Sequence, residues 1–179
     1  MIRNHLMIFA CVLAMSPAFA QASTEEDGVA VFFNLCGGTV AAVETPFDPS
    51  AFKFTKLGPD VLKKIRPTEE GPFWDVQSSR SDLRGLAHIW TNGNCTFELV
   101  KANERATREA YDHQLANFAL EIGGIVERRP DKVTLMEGLP MTSTEWFVTA
   151  PDKAFLLGLT TYPKMRFMTQ HMMLMRKVR

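Results

Sequence analysis

Net charge is the first thing missing: 20 Lys and Arg side chains are matched by 20 Asp and Glu. Without a surplus of positive charge nothing draws the chain in bulk to nucleic acid or anionic lipid, so nucleic acid is excluded as a partner class. Cysteine is scarce too, three in 179 residues. With no C-x-x-C and no histidine at zinc-site spacing beside them, neither a redox pair nor structural zinc is indicated. No apolar run reaches the roughly 20 residues of a bilayer-spanning helix. No G-K-[ST] accompanies Gly37-Gly38 to make a phosphate loop, and no serine has nucleophile-elbow spacing. What is present is the composition of a chain that buries a core, 46% hydrophobic and 22% charged, at a length that suits one domain.

The first 20 residues stand apart. They have a basic start, an apolar stretch over 6–15, and Ala18-Phe19-Ala20 before Gln21, the pattern of an export signal with an A-x-A cleavage site. Cys11 lies midway along the apolar stretch with bulky Phe9 two residues before it, a poor setting for lipid attachment. Residues 1–20 are therefore expected to be a cleaved signal peptide and 21–179 a single exported domain, not membrane-spanning once the leader is gone. Cleavage removes Cys11. Cys36 and Cys95 then remain, and in an oxidising compartment two cysteines most simply bond to each other.

Ser23 or Thr24 is placed to cap a helix with Glu25, Glu26 and Asp27 in its first turn. Val29, Phe32, Phe33, Cys36 and Val40 recur at helical spacing and make its buried face, and Gly37-Gly38 loosens or ends it. Residues 45–66 read as irregular apart from a short helix over 59–65. Strands follow at Phe73-Trp74-Asp75-Val76-Gln77 and on both sides of Asn92-Gly93, a hairpin signal because both central turn residues need positive φ. Asn103 caps a second helix on which Tyr111, Leu115, Phe118 and Ile122 repeat, and Gly123-Gly124 ends it. Beyond it, 132–137, 144–149, 154–161 and 165–178 read as strands of an antiparallel meander. Their separators are Gly138-Leu139-Pro140, Pro151-Asp152-Lys153 and Tyr162-Pro163-Lys164. The expected class is α+β, an antiparallel sheet with two main helices packed on it. Trp74-Asp75-Val76 and Trp146-Phe147-Val148 hold equivalent places after a helix, so a duplicated α-β-β-β unit is one reading of the order.

Chemistry is concentrated at Gln170-His171-Met172-Met173-Leu174-Met175. On a strand His171, Met173 and Met175 share a face, and an imidazole with two thioethers suits a soft ion such as Cu(I). The competing reading is packing, since methionine fills irregular gaps in core strands. Ser78, Ser79 or Ser81 can be set on paper with His88 and Asp82 as a hydrolytic triad, but no spacing supports it and a surface His88 is expected. His113 falls outside the apolar set of the second helix, and Asp112 beside it diverges, so the two make no base–orienter pair. Arg105, Arg108, Arg128, Arg129 and Lys132 form a basic group around that helix.

Cys36, Gly71-Pro72-Phe73-Trp74 and Gly93-Asn94-Cys95, followed by a helix, are similar to a family of small exported proteobacterial proteins of uncharacterised function. The resemblance spans 29–122 and implies a conserved cysteine pair and a Gram-negative envelope location; it brings no catalytic residues, and the region beyond Val133 departs from it. The expectation is a periplasmic or secreted, non-enzymatic binding module for an envelope protein or small ligand, without cofactor. Cu(I) binding through His171, Met173 and Met175 is the alternative, and an immunity or inhibitor role the third.

Overall fold

The computed structural model describes residues 22–42, 48–66, 70–136, 138–166 and 169–178. The expected leader, 1–20, lies outside them.

Helix α1 (Thr24–Cys36) starts at a reciprocal cap: the Ser23 hydroxyl accepts from the Glu26 amide while the Glu26 carboxylate accepts from the Ser23 amide. It widens into a π-helical turn over Gly37–Ala41 and stops at Ala42, whose φ is 54°. The second long helix is α3 (Glu104–Glu121), capped by Asn103 and ended where Gly123 turns left-handed at φ 61°. Between them lies short α2 (Pro59–Ile65). No helix among the described residues is long and apolar enough to cross a membrane.

The strands are β1 (Phe52–Lys56), β2 (Phe73–Ser78), β3 (Arg84–Ile89), β4 (Cys95–Val100), β5 (Ile125–Arg128), β6 (Lys132–Met136), β7 (Leu139–Thr149), β8 (Ala154–Arg166) and β9 (Thr169–Lys177). They form one antiparallel sheet in the order β1-β2-β3-β4-β9-β8-β7-β5, with β6 also pairing with β7. The α+β class is as expected, and four boundaries are corrected, the first being that Leu139 and Pro140, expected between strands, open β7. Phe52–Lys56, within the segment read as irregular, is an edge strand with four of five side chains exposed, so little burial pattern marked it. β5 was missed for the same reason: all four of its residues are exposed. Tyr162-Pro163-Lys164 is strand rather than turn. The β8–β9 register shifts between Thr161 and Arg166, and an irregularity of that kind tolerates a proline with no amide proton.

The order reads alike outward from the central pair, β4-β3-β2-β1 on one side and β9-β8-β7-β5 on the other. Trp74 pairs with Ala87, and Ala87 with Phe97; Trp146 pairs with Leu157, and Leu157 with Met175. A two-fold axis through the Thr96–Leu174 pair exchanges these rows. On each side the sheet thus runs four strands out from the centre, one more than the expected α-β-β-β order.

Both long helices lie on one face. A Cβ at Gly28 would meet the Leu99 side chain and force it to shift, so glycine suits the close approach of α1 to β4. Tyr111 stacks between Phe32 of α1 and Trp146 of β7, at centroid distances of 5.8 and 5.0 Å, and Phe118 meets Phe155 edge-on at 5.9 Å. Such pairs add to the burial of their own area and fix the helices over the sheet. Cys36 and Cys95 are bonded, with Cα atoms 5.4 Å apart, and join the end of α1 to the sheet's central pair of strands.

Candidate functional site

Three regions gather polar or reactive groups, and a fourth gathers exposed apolar ones. In the first, Met173 and Met175 alternate with His171 on the helix-facing side of β9. All three are 0% exposed. Met173 lies between Phe97 and Leu159, and Met175 between Cys95 and Leu157, which are packing positions. His171 Nε2 donates to the Ala102 carbonyl at 3.0 Å, while Nδ1 has no hydrogen-bond partner among the described residues. In the neutral ring the proton is on Nε2, donated to the carbonyl, and the lone pair is on Nδ1. Burial holds the His171 pKa below its ordinary value of 6.5, against the opposing pull of the Ala102 carbonyl and the Glu104 charge. A histidine whose pKa is depressed by folding binds its proton more readily unfolded. Stability is therefore complete above about pH 6.5 and declines as pH falls below it toward the folded pKa. Urea unfolding at pH 7.5 and 5.5 should show this loss, and His171→Leu should reduce it; an unchanged pH slope in the variant would assign the loss to other groups.

The second region surrounds Arg108. Its Nη1 donates to Thr144 Oγ1 at 3.0 Å and its Nη2 to Thr161 Oγ1 at 2.6 Å, both hydroxyls being fully buried. The Thr161 hydroxyl donates to Glu104 Oε1 at 2.6 Å, and the Thr144 hydroxyl donates to Asp131 Oδ1 at 2.7 Å. Arg128 donates to the same Asp131 oxygen at 2.8 Å. The result is a closed network in which the hydroxyls both donate and accept, a brace between α3 and strands β7 and β8. Beside it is an open depression of about 580 Å³ lined by Ala102, Asn103, Glu104, Arg105, Arg108, Glu109 and Asp112. The basic group expected around this helix is largely neutralised: Arg105 pairs with Glu109, Arg108 with Glu104, Arg128 with Asp131 and Arg129 with Glu145.

The third region holds the residues of the hypothetical triad, and they do not converge. Ser78 and Ser81 both donate to Asp27 Oδ2, at 2.7 and 2.6 Å, and Ser79 donates to the Ala51 carbonyl. His88 is not on the surface as expected but 2% exposed. It stacks on Phe73 at 3.7 Å, and its Nε2 is hydrogen-bonded to the Glu70 carbonyl. His113 is exposed on α3, apart from Asp112 in direction. Among the described residues no group of three His, Cys, Asp or Glu side chains is arranged to hold a metal ion.

The fourth region was not foreseen. Eight large apolar side chains are exposed among the described residues, and five of them, Leu120, Ile125, Val126, Val133 and Leu135, belong to one stretch of chain. It comprises the last turn of α3 and the edge strands β5 and β6, which lie in succession along β7. Leu120, Ile125, Leu135 and Val133 are 82%, 77%, 74% and 66% exposed; Val133 and Leu135 share one face of β6, while the consecutive residues Ile125 and Val126 point to opposite faces of β5. The opposite edge, β1, presents exposed Lys53 and Lys56, the charges that commonly keep a sheet edge from pairing. A sequence signal did exist in the alternation of Val133 and Leu135 about Thr134, which sets two apolar side chains on one face of a strand.

Comparison with family models, curated proteins and solved structures gives no match for this chain, so its own geometry carries the functional argument.

Proposed function

We propose that this chain is an exported interaction module of the bacterial envelope, which acts by recognition and not by catalysis. The observation that supports this reading is the sheet edge formed by β5 and β6, on which Ile125, Val126, Val133 and Leu135 are exposed. A protein partner fits it better than a small ligand. The edge offers unpaired main chain and exposed apolar side chains, whereas the 580 Å³ depression is lined by side chains that largely satisfy one another. The leader pattern and the family resemblance favour the periplasm, and the bonded cysteine pair agrees with an oxidising compartment. An immunity or inhibitor role is one form that such a module takes.

The test is differential. Crosslinking in envelope extract should capture a partner with the native chain and lose it with Ile125→Lys/Val126→Lys, while Lys53→Ala on the opposite edge keeps it. Equal capture by all three would end the assignment to this edge.

Cu(I) capture by His171, Met173 and Met175 is the second reading, favoured by the free Nδ1 of His171. An ion would have to part the helix layer from the sheet to reach three side chains that are 0% exposed. A bathocuproine competition titration decides: stoichiometric capture abolished by Met173→Ser supports the site, and no capture removes it.

A further inference from the structure

β6 is an edge strand whose own sequence describes the strand that would complete it. Its residues Lys132, Val133, Thr134, Leu135 and Met136 pair with Ser143, Thr142, Met141, Pro140 and Leu139 of β7. Pro140 has no amide proton, so its pairing with Leu135 is of the type that exchanges no hydrogen bonds. Antiparallel pairs alternate, which makes Val133–Thr142 the same type and leaves Lys132 and Thr134 to bond with β7. The Arg129 amide donates to the Glu145 carbonyl, and this places the odd-numbered residues of β7 toward the edge, in agreement. The N–H and C=O groups of Val133 and Leu135 therefore face outward. Their side chains, 66% and 74% exposed, stand beside those free groups on the helix-facing side of the sheet.

We propose that β6 pairs antiparallel with β6 of a second copy of this chain, about a two-fold axis at Thr134. The inference rests on the reading of this edge as the recognition surface, and names its occupant. In that register Val133 of each copy lies opposite Leu135 of the other, and both pairs bring outward-facing amides against outward-facing carbonyls. The same pairs set four aliphatic side chains together on one face. Lys132 falls opposite Met136, so no like charges are opposed. Thr134, whose hydroxyl has no partner among the described residues, falls on the axis opposite its own copy. Any one-residue shift of register opposes inward-facing groups to outward-facing ones and loses the hydrogen bonds. The contact is isologous and closed, so it ends at a dimer, and the lysines of β1 keep the sheet from extending at its far edge. A short strand pairing buries little area, which makes the dimer weak and dependent on concentration.

Light scattering on the purified oxidised protein, eluted from a sizing column over a range from micromolar to millimolar, tests this. The mass should double across the range. Leu135→Pro removes an outward-facing amide that β7 does not use, a change an edge strand tolerates, and should hold the mass at the monomer value at every concentration. Should that variant unfold, Val133→Lys serves in its place, with the far-ultraviolet circular dichroism as a check on the fold. Phe54→Lys, on β1, should leave the doubling intact. A native chain that stays monomeric throughout, or a dimer that survives in both β6 variants, overturns the proposal. The envelope capture uses β5 variants, so a monomeric native chain that still loses its partner with Ile125→Lys/Val126→Lys contradicts the strand pairing and leaves the recognition reading standing.

Discussion

Converting Cys36 and Cys95 to alanine should lower the free energy of unfolding by about 4 kcal/mol and the melting temperature by roughly 10 °C. The bond closes a loop across a sequence separation of 59 residues. In the chain-entropy model that closure restricts the unfolded ensemble by about the stated amount. Both residues are 0% exposed, so nothing in the substitution favours the folded state in return. The tie also joins elements that the sequence keeps apart, the end of α1 and the start of β4. Without it α1 keeps its aromatic contacts to Tyr111 and Phe118 through Phe32 and Phe33, and the fold should survive in weakened form. Urea unfolding of the oxidised protein against the double alanine variant measures the difference. A loss below about 1 kcal/mol would show that the unfolded chain was already restricted over this span.

Asp27→Ala should cost about 3 kcal/mol, a large loss for a single side chain in the first turn of a helix. Asp27 is 1% exposed and is surrounded by donors. Its Oδ2 accepts hydrogen bonds from Ser78 and Ser81, and its Oδ1 accepts one from Arg80 Nε at 2.8 Å. The substitution strands two serine hydroxyls and releases Arg80, whose guanidinium also lies over the Phe52 ring at 5.1 Å. Arg80 is 43% exposed and can turn to solvent, so most of the cost falls on the hydroxyl–carboxylate bonds. Ser81→Ala, which removes one donor and leaves the carboxylate with two, should cost about 1 kcal/mol. Equal losses for the two variants would mean that the pocket rearranges around whichever group is removed.

The sequence carried those parts of the fold in which a local signal coincided with burial. Asn103, the Tyr111-Leu115-Phe118 spacing and Gly123 marked α3 from cap to stop, and Asn92-Gly93 marked the β3–β4 turn. The elements that escaped are those without a buried face: β1 and β5 are edge strands with too few inward residues to show a period. Pro163 misled for a different reason, since proline reads as a turn unless the strand register is known to be irregular there. Polar residues were the least legible. Asp27 read as a helix-start acid and Ser78 and Ser81 as stray nucleophiles, because their common bond depends on bringing together segments about fifty residues apart. His171 stood out in the sequence, but its orienting partner is a backbone carbonyl, that of Ala102, and no residue type announces one.

The apolar edge gives the most direct test of how this protein works, through hydrogen exchange measured amide by amide in dilute and concentrated solution. If recognition proceeds by strand addition at β6, the amides of Val133 and Leu135 exchange freely when dilute and become protected on concentration, while those of Lys132 and Thr134, bonded to β7, are protected in both. Equal exchange of Val133 and Leu135 at the two concentrations, or protection appearing instead along β1, would contradict the account.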